Sequence, residues 1–184
     1  DKLWIVTHRL ENEILSRLDV VSEDFTHLKH NPIDPKSLAK GFIYQVYEDK
    51  LRNLWIGTGG LNRFNRQNNT FTQFNLNSFE TNDLSSENIK AICEGKGGRF
   101  WIGTERALYI YDRKKNTFSC VTKDKINASL IYEDQSGVLW IGRQRTLFKY
   151  DRENEQFPSP IFYGQNDMSI EDQQGIIWIA TDQG

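Results

Sequence analysis

Cysteine is almost absent from this chain: Cys93 and Cys120 are the only two, and neither has a CxxC or paired-histidine spacing around it. That excludes a disulfide framework and a thiolate metal site. Long hydrophobic runs are missing as well. No stretch approaches the roughly 20 apolar residues that cross a bilayer, and Asp1-Lys2-Leu3-Trp4 does not open a signal-peptide core. Any export signal or anchor is therefore expected outside this stretch, and the membrane enters only through flanking segments. An excess of positive charge is also lacking. With 23 basic and 25 acidic residues the formal charge is −2, so there is no basic stripe for a phosphate backbone and nucleic acid is not an expected partner. The sequence contains no HExxH, no nucleophile elbow and no phosphate-binding glycine loop. The three histidines, His8, His27 and His30, all fall near the start and read as solvated loop residues. No catalytic residue, metal site or cofactor is expected.

Tryptophan, by contrast, recurs in a fixed context. Leu3-Trp4-Ile5-Val6-Thr7, Leu54-Trp55-Ile56-Gly57-Thr58, Phe100-Trp101-Ile102-Gly103-Thr104, Leu139-Trp140-Ile141-Gly142-Arg143 and Ile177-Trp178-Ile179-Ala180-Thr181 account for all five tryptophans. Seven residues before each of the last four stands a glutamate, at Glu48, Glu94, Glu133 and Glu171, and three of these are followed by Asp49, Asp134 and Asp172. Gly98, Gly137 and Gly175 each precede their tryptophan by three. An acidic residue, a polar pair, a glycine and then an apolar run is turn chemistry between two strands. Downstream, Asp19, Asn65, Asp112 and Asp151 are followed six residues on by Phe25, Phe71, Phe118 and Phe157, which marks a second turn. Each unit thus reads as four short strands: A (Ile89 to Cys93 in one copy), B with the tryptophan, C (Leu108 to Tyr111) and D starting at the phenylalanine.

Tryptophan spacings of 51, 46, 39 and 38 residues bracket the roughly 40 to 50 residues of a four-stranded propeller blade. No 3.6-residue periodicity persists, so helical repeats of similar length are excluded. The fold expected is all-β: a β-propeller of four-stranded antiparallel blades, present as three whole blades and two partial ones. The units run over about 1–30 (partial), 41–76, 88–122, 127–163 and 166–184 (partial), and a longer array is expected to cover the end surfaces. Cys93 and Cys120 then fall on the innermost and outermost strands of one blade, about 14 Å apart, too far for a bridge. The links Asn31–Lys40 and Asn77–Glu87 are long and polar, and are expected to project from one rim and tolerate insertions.

The segment Tyr132-Glu133-Asp134-Gln135-Ser136-Gly137-Val138-Leu139-Trp140-Ile141-Gly142, continued by Leu147 to Asp151, resembles the two-component regulator propeller repeat, and the resemblance extends over nearly the whole chain. It implies a seven-bladed propeller in the periplasmic part of an inner-membrane sensor. Typical owners are hybrid histidine kinases of Bacteroides-like bacteria that respond to polysaccharide-derived oligosaccharides. It also implies a self-associating parent in which binding changes dimer geometry. The B-to-C turns depart from the family's Gly-Thr-x-x-Gly-Leu: Ala107 and Thr146 replace the second glycine, Gly57 to Leu61 is one residue short, and the first unit carries an insertion around Leu10 to Ile14.

The recurring carboxylates could be glycosidase acid/base pairs, but one copy per blade at a single turn position is read as turn formers and surface caps. The strand-B tryptophans, Trp4, Trp55, Trp101, Trp140 and Trp178, are read as repeat core, not sugar-stacking platforms. What remains is the mouth formed by the B-to-C turns, where His8, Arg9, Glu105, Arg106, Gln144 and Arg145 are the candidate ligand-binding residues, with arginine suited to carboxylate or sulfate groups. The expected function is non-catalytic sensing of an oligosaccharide. The alternative is a protein-interaction propeller without a small ligand, marked by an exposed apolar patch on one rim.

Overall fold

The computed structural model describes residues 2–7, 13–74, 88–122, 126–143, 146–152, 154 and 157 and, as backbone alone, 162–163, 168–171 and 177–180. The chain divides into two units, Asp1–Asn88 and Ile89–Gly184. The first holds a three-stranded sheet, β1 (Lys2–Thr7), β2 (Ile14–Asp19) and β3 (Phe25–Lys29), and a four-stranded sheet, β4 (Gln45–Glu48), β5 (Leu54–Gly57), β6 (Leu61–Asn65) and β7 (Thr70–Phe74). The second holds two four-stranded sheets. They are β8 (Ile89–Glu94), β9 (Phe100–Thr104), β10 (Leu108–Asp112) and β11 (Thr117–Thr122), then β12 (Ala128–Glu133), β13 (Leu139–Arg143), β14 (Thr146–Tyr150) and β15 (Phe162–Tyr163). A last pair, β16 (Met168–Glu171) and β17 (Ile177–Ala180), completes it. Every pairing between these strands is antiparallel between sequence neighbours. That is the strand order of propeller blades, and the one helical element among the described residues is a single 3-10 turn, Lys96–Gly98.

The turns explain why these sequences meander. At three of the C-to-D turns the leading Asp or Asn side chain accepts from the amide two residues on: Asp19 from Val21 at 3.1 Å, Asn65 from Gln67 at 2.9 Å and Asp112 from Lys114 at 2.9 Å. At the fourth, Asp151 accepts from the amide of Asn154, three residues on, at 3.2 Å. Glu23, Asn69 and Asn116 then adopt left-handed φ of 60°, 55° and 53° just before strand D, a conformation asparagine tolerates better than most residues. In the A-to-B turns the left-handed position is Gly98 or Gly137, but in the second sheet it is Arg52, at φ 64°.

Alternation along the strands builds one core per unit. In the first unit Leu15 of the three-stranded sheet, with Trp4, Val6 and Leu28 beside it, packs on Leu54, Ile56, Phe64 and Phe71. In the second, Ala91, Trp101 and Leu108 pack on Ala128, Ile131, Leu139, Ile141 and Tyr150. Each fully buried Leu or Ile contributes roughly 1.5–3 kcal/mol. Glycine in the Trp-Ile-Gly block permits the approach, since a Cβ on Gly103 would stand 2.8 Å from the Ala128 methyl. Cys93 on β8 and Cys120 on β11 are free thiols on the two edge strands of one sheet.

Three sequence expectations are corrected. Strand D of the fourth sheet does not start at Phe157; among the described residues β15 pairs with β14 through Phe162 and Tyr163. Pro158 and Pro160 intervene, and proline cannot donate to the ladder. Phe157 instead packs on Tyr150, ring centroids 5.1 Å apart. The link Asn31–Lys40 does not simply project. Leu38 lies in the core at 1% exposure, and the link is tied down by Phe71 N–H to the Lys36 carbonyl (2.7 Å) and Ala39 N–H to Asn62 Oδ1 (2.9 Å). The aspartates before the tryptophans are not surface caps, because Asp49 and Asp134 are buried, whereas Glu48 is exposed. The link Asn77–Glu87 lies outside the described residues.

Candidate functional site

The B-to-C turns owe their shape to the threonine ending the Trp-Ile-Gly-Thr block. Thr104 Oγ1 accepts from the amides of Arg106 (3.1 Å) and Ala107 (2.9 Å), which curls the turn and leaves Glu105 and Arg106 exposed. The following link grips this turn from outside: Asn127 N–H donates to the Glu105 carbonyl at 3.0 Å and Ile126 N–H to the Arg106 carbonyl at 3.4 Å. Lys90, on the neighbouring β8, pairs with Glu105 at 3.0 Å and with Asn127 Oδ1 at 3.0 Å. The turn is therefore a charged, backbone-clamped corner. In the second sheet the equivalent turn is built by Thr58, whose amide donates to the Gly60 carbonyl at 2.9 Å, and Gly59 and Gly60 present no side chain. Here Asn62, fully buried, donates to the carbonyls of Ile56 and Gly60 and to Thr58 Oγ1.

Of the six candidate rim residues, the structure brings Glu105 and Arg106 together on one turn. His8, Arg9, Gln144 and Arg145 lie outside the described residues. Sequence reasoning missed Lys90 and Asn127. The signal for Lys90 was available: once strands A and B pair antiparallel, the first residues of A stand beside the turn that ends B.

The opposite ends of the sheets hold the carboxylates. Asp49 Oδ1 accepts from the amides of Leu51 (2.9 Å) and Asn53 (2.8 Å), and Oδ2 accepts from the Trp55 indole Nε1–H at 2.8 Å. Asp134 repeats this with the Ser136 hydroxyl, the Val138 amide at 2.8 Å and the Trp140 indole at 2.8 Å. Burial pushes the Asp134 carboxyl up, but the hydrogen bonds from Ser136, Trp140, Val138 and the Ser136 amide outweigh it and hold the group below the usual aspartate range. The preceding glutamates pair with an arginine directly after the Asx residue of the C-to-D turn: Glu48 with Arg66, Glu94 with Arg113 at 2.8 Å and Glu133 with Arg152 at 2.8 Å. Arg113 also covers Phe100, and Arg152 covers Trp101, at 4.8 and 5.3 Å from the ring centroids.

This chemistry is structural. Carboxylates engaged by amides, indoles and guanidinium groups shape the turns and anchor the tryptophans, and Asp134, held below the usual aspartate range, is not poised to exchange protons with a substrate. Trp55 and Trp101 are buried at 1% and 2% exposure, with Trp4 and Trp140 half-buried; the Trp178 side chain lies outside the described residues. Among the described residues no group of three or more His, Cys, Asp or Glu could hold a metal ion. A cleft of about 440 Å³ lies beside Leu139, Tyr150 and Arg152.

Four-stranded antiparallel sheets that bury a tryptophan on strand B and are joined in series are the blades of a β-propeller. Residues 37–60 and 83–106 match the family model described as two component regulator propeller. The extracellular domain of the hybrid two-component system BT4673 from B. thetaiotaomicron is similar in fold, with a TM-score of 0.77 at 20% identity over 99% of this chain and 25% of that one. The corresponding domain of BT3049 from the same organism gives 0.76 at 22% identity, over 98% and 24%. Virginiamycin B lyase from Staphylococcus aureus is also similar, with a TM-score of 0.66 at 8% identity, over 98% and 67%. The chain thus spans about a quarter of the length of the two sensor domains. No curated protein matches the sequence.

Proposed function

We propose that this chain is a non-catalytic, ligand-sensing part of the periplasmic propeller of a two-component sensor, and that the rim of B-to-C turns recognises a polysaccharide-derived oligosaccharide. The observation that carries the reading is the match of residues 37–60 and 83–106 to sensor propeller repeats. The disposition of charge supports it. The glutamates and aspartates at one end are engaged in structural hydrogen bonds and ion pairs, and at the other Glu105, paired with Lys90, and Arg106 stand exposed on a backbone-clamped turn. Arginine on such a turn suits the carboxylate or sulfate of an acidic sugar. The test is calorimetric titration of the parent protein with acidic oligosaccharides. The Arg106→Ala, Arg145→Ala double variant should weaken binding at least about tenfold; an unchanged titration sinks the reading.

A second reading, a protein-interaction surface, is favoured by one observation. The first unit exposes Val20 (53%), Val21 (84%), Phe25 (53%), Ile33 (88%) and Phe42 (60%), and no described residue of the second unit is an exposed large hydrophobic. Exposed apolar side chains, where they adjoin, suit a protein contact surface.

A further inference from the structure

In the second, third and fourth sheets the residue six before the tryptophan decides how the indole is satisfied. In the second and fourth sheets it is Asp49 and Asp134, and each caps its own sheet's tryptophan. In the third sheet the same position is Gly95, and no aspartate is available. The Trp101 indole donates instead to Glu133 Oε2 at 3.0 Å, on the next sheet, while Glu133 Oε1 accepts the Lys96 amide at 3.0 Å. The Glu133 side chain is 1% exposed and is paired at 2.8 Å with Arg152 of its own sheet, whose guanidinium lies over the Trp101 ring. Space for it exists only because position 95 has no side chain: a Cβ there would stand 2.0 Å from Glu133 Oε2. The other two described glutamates of this series, Glu48 and Glu94, find their arginines within their own sheets.

We propose that Glu133 is a latch shared by the third and fourth sheets, so that strand β9 and the β12–β13 hairpin open as one unit where the aspartate-capped sheets close locally. Its parts are complementary: the missing aspartate leaves the Trp101 indole without an acceptor in its own hairpin, the glycine makes the opening, and Glu133 fills it, accepting from the indole and from the Lys96 amide while its charge is neutralised by Arg152. A carboxylate buried between two sheets and tied to both cannot leave one without exposing donors in the other. A displacement of the β12–β13 hairpin is thereby felt at Trp101, which gives this part of the repeat array a defined mechanical coupling between adjacent sheets.

Hydrogen exchange on the full chain tests this. Glu133→Ala should raise exchange about tenfold or more at the amides of β9 as well as those of β12 and β13. Gly95→Asp alone should destabilise, because its side chain meets Glu133. In the Glu133→Ala background it should recover β9 protection, because the new aspartate restores the cap used by the second and fourth sheets. Should Glu133→Ala fail to fold, Glu133→Gln keeps the volume, loses the charge and should loosen both sheets by less. Loosening confined to β12 and β13 overturns the proposal, as does Gly95→Asp giving no recovery of β9 in the Glu133→Ala protein.

Discussion

Trp55 and Trp101 hold the same place in successive repeats, are equally buried and donate the same indole hydrogen to a carboxylate, yet one carboxylate is six residues back and the other 32 residues on. The difference shows what the repeat conserves: an acceptor at one point in space, not a residue at one point in sequence. Asp49 closes a hairpin and a tryptophan together, so the second sheet's cap is local. With glycine at position 95 the acceptor comes from across the sheet interface, and Glu133 supplies it from the end of β12, beside Arg152. A buried indole N–H without an acceptor costs about 1–3 kcal/mol, which is enough to hold such an arrangement in place.

The largest effect is expected at the tryptophan itself. Trp101→Ala removes a core ring and leaves Glu133 and the covering Arg152 without their neighbour, so it should cost about 3–5 kcal/mol, read as a lowered urea midpoint. Wild-type stability would overturn its place in the core. The comparison sharpens, with a smaller effect, in the pH dependence of the aspartate cap. Asp134 is held below its usual range when folded. Its contribution is therefore fully present above the unfolded pKa of about 3.9 and is lost as pH falls through the folded value. Asp134→Asn should flatten that acid limb of the stability curve; a curve parallel to wild type between about pH 5 and the acid transition contradicts the cap.

Much of this fold was legible because its signals are local. The tryptophan block, the Asx-to-Phe spacing and the turn glycines each encode a strand or a turn within ten residues, and the strands fall where they indicate. The fourth strand of the fourth sheet was misplaced because the Phe157 spacing outweighed Pro158 and Pro160, whose missing amides were readable. Leu38 looked like loop because groups far along the chain, Asn62, Phe71 and Gln73, pin that link. The recurring Glu–Arg pairs carried a readable mark, an arginine directly after each Asx turn residue at Arg66, Arg113 and Arg152. The Glu133 latch carried none beyond the absence of an aspartate at Gly95, since its partner is set by packing. The rim was half legible: the turn was placed by its threonine, while the roles of Lys90 and Asn127 depend on strand register.

The measurement that tests the account most directly is the indole region of a ¹H–¹⁵N spectrum of the chain and its carboxylate variants. If each buried tryptophan is satisfied by the acceptor described, Asp49→Ala shifts the Trp55 indole and leaves Trp101 in place, whereas Glu133→Ala shifts Trp101 and leaves Trp55 in place. A Trp101 indole resonance unmoved by loss of Glu133 would contradict the account.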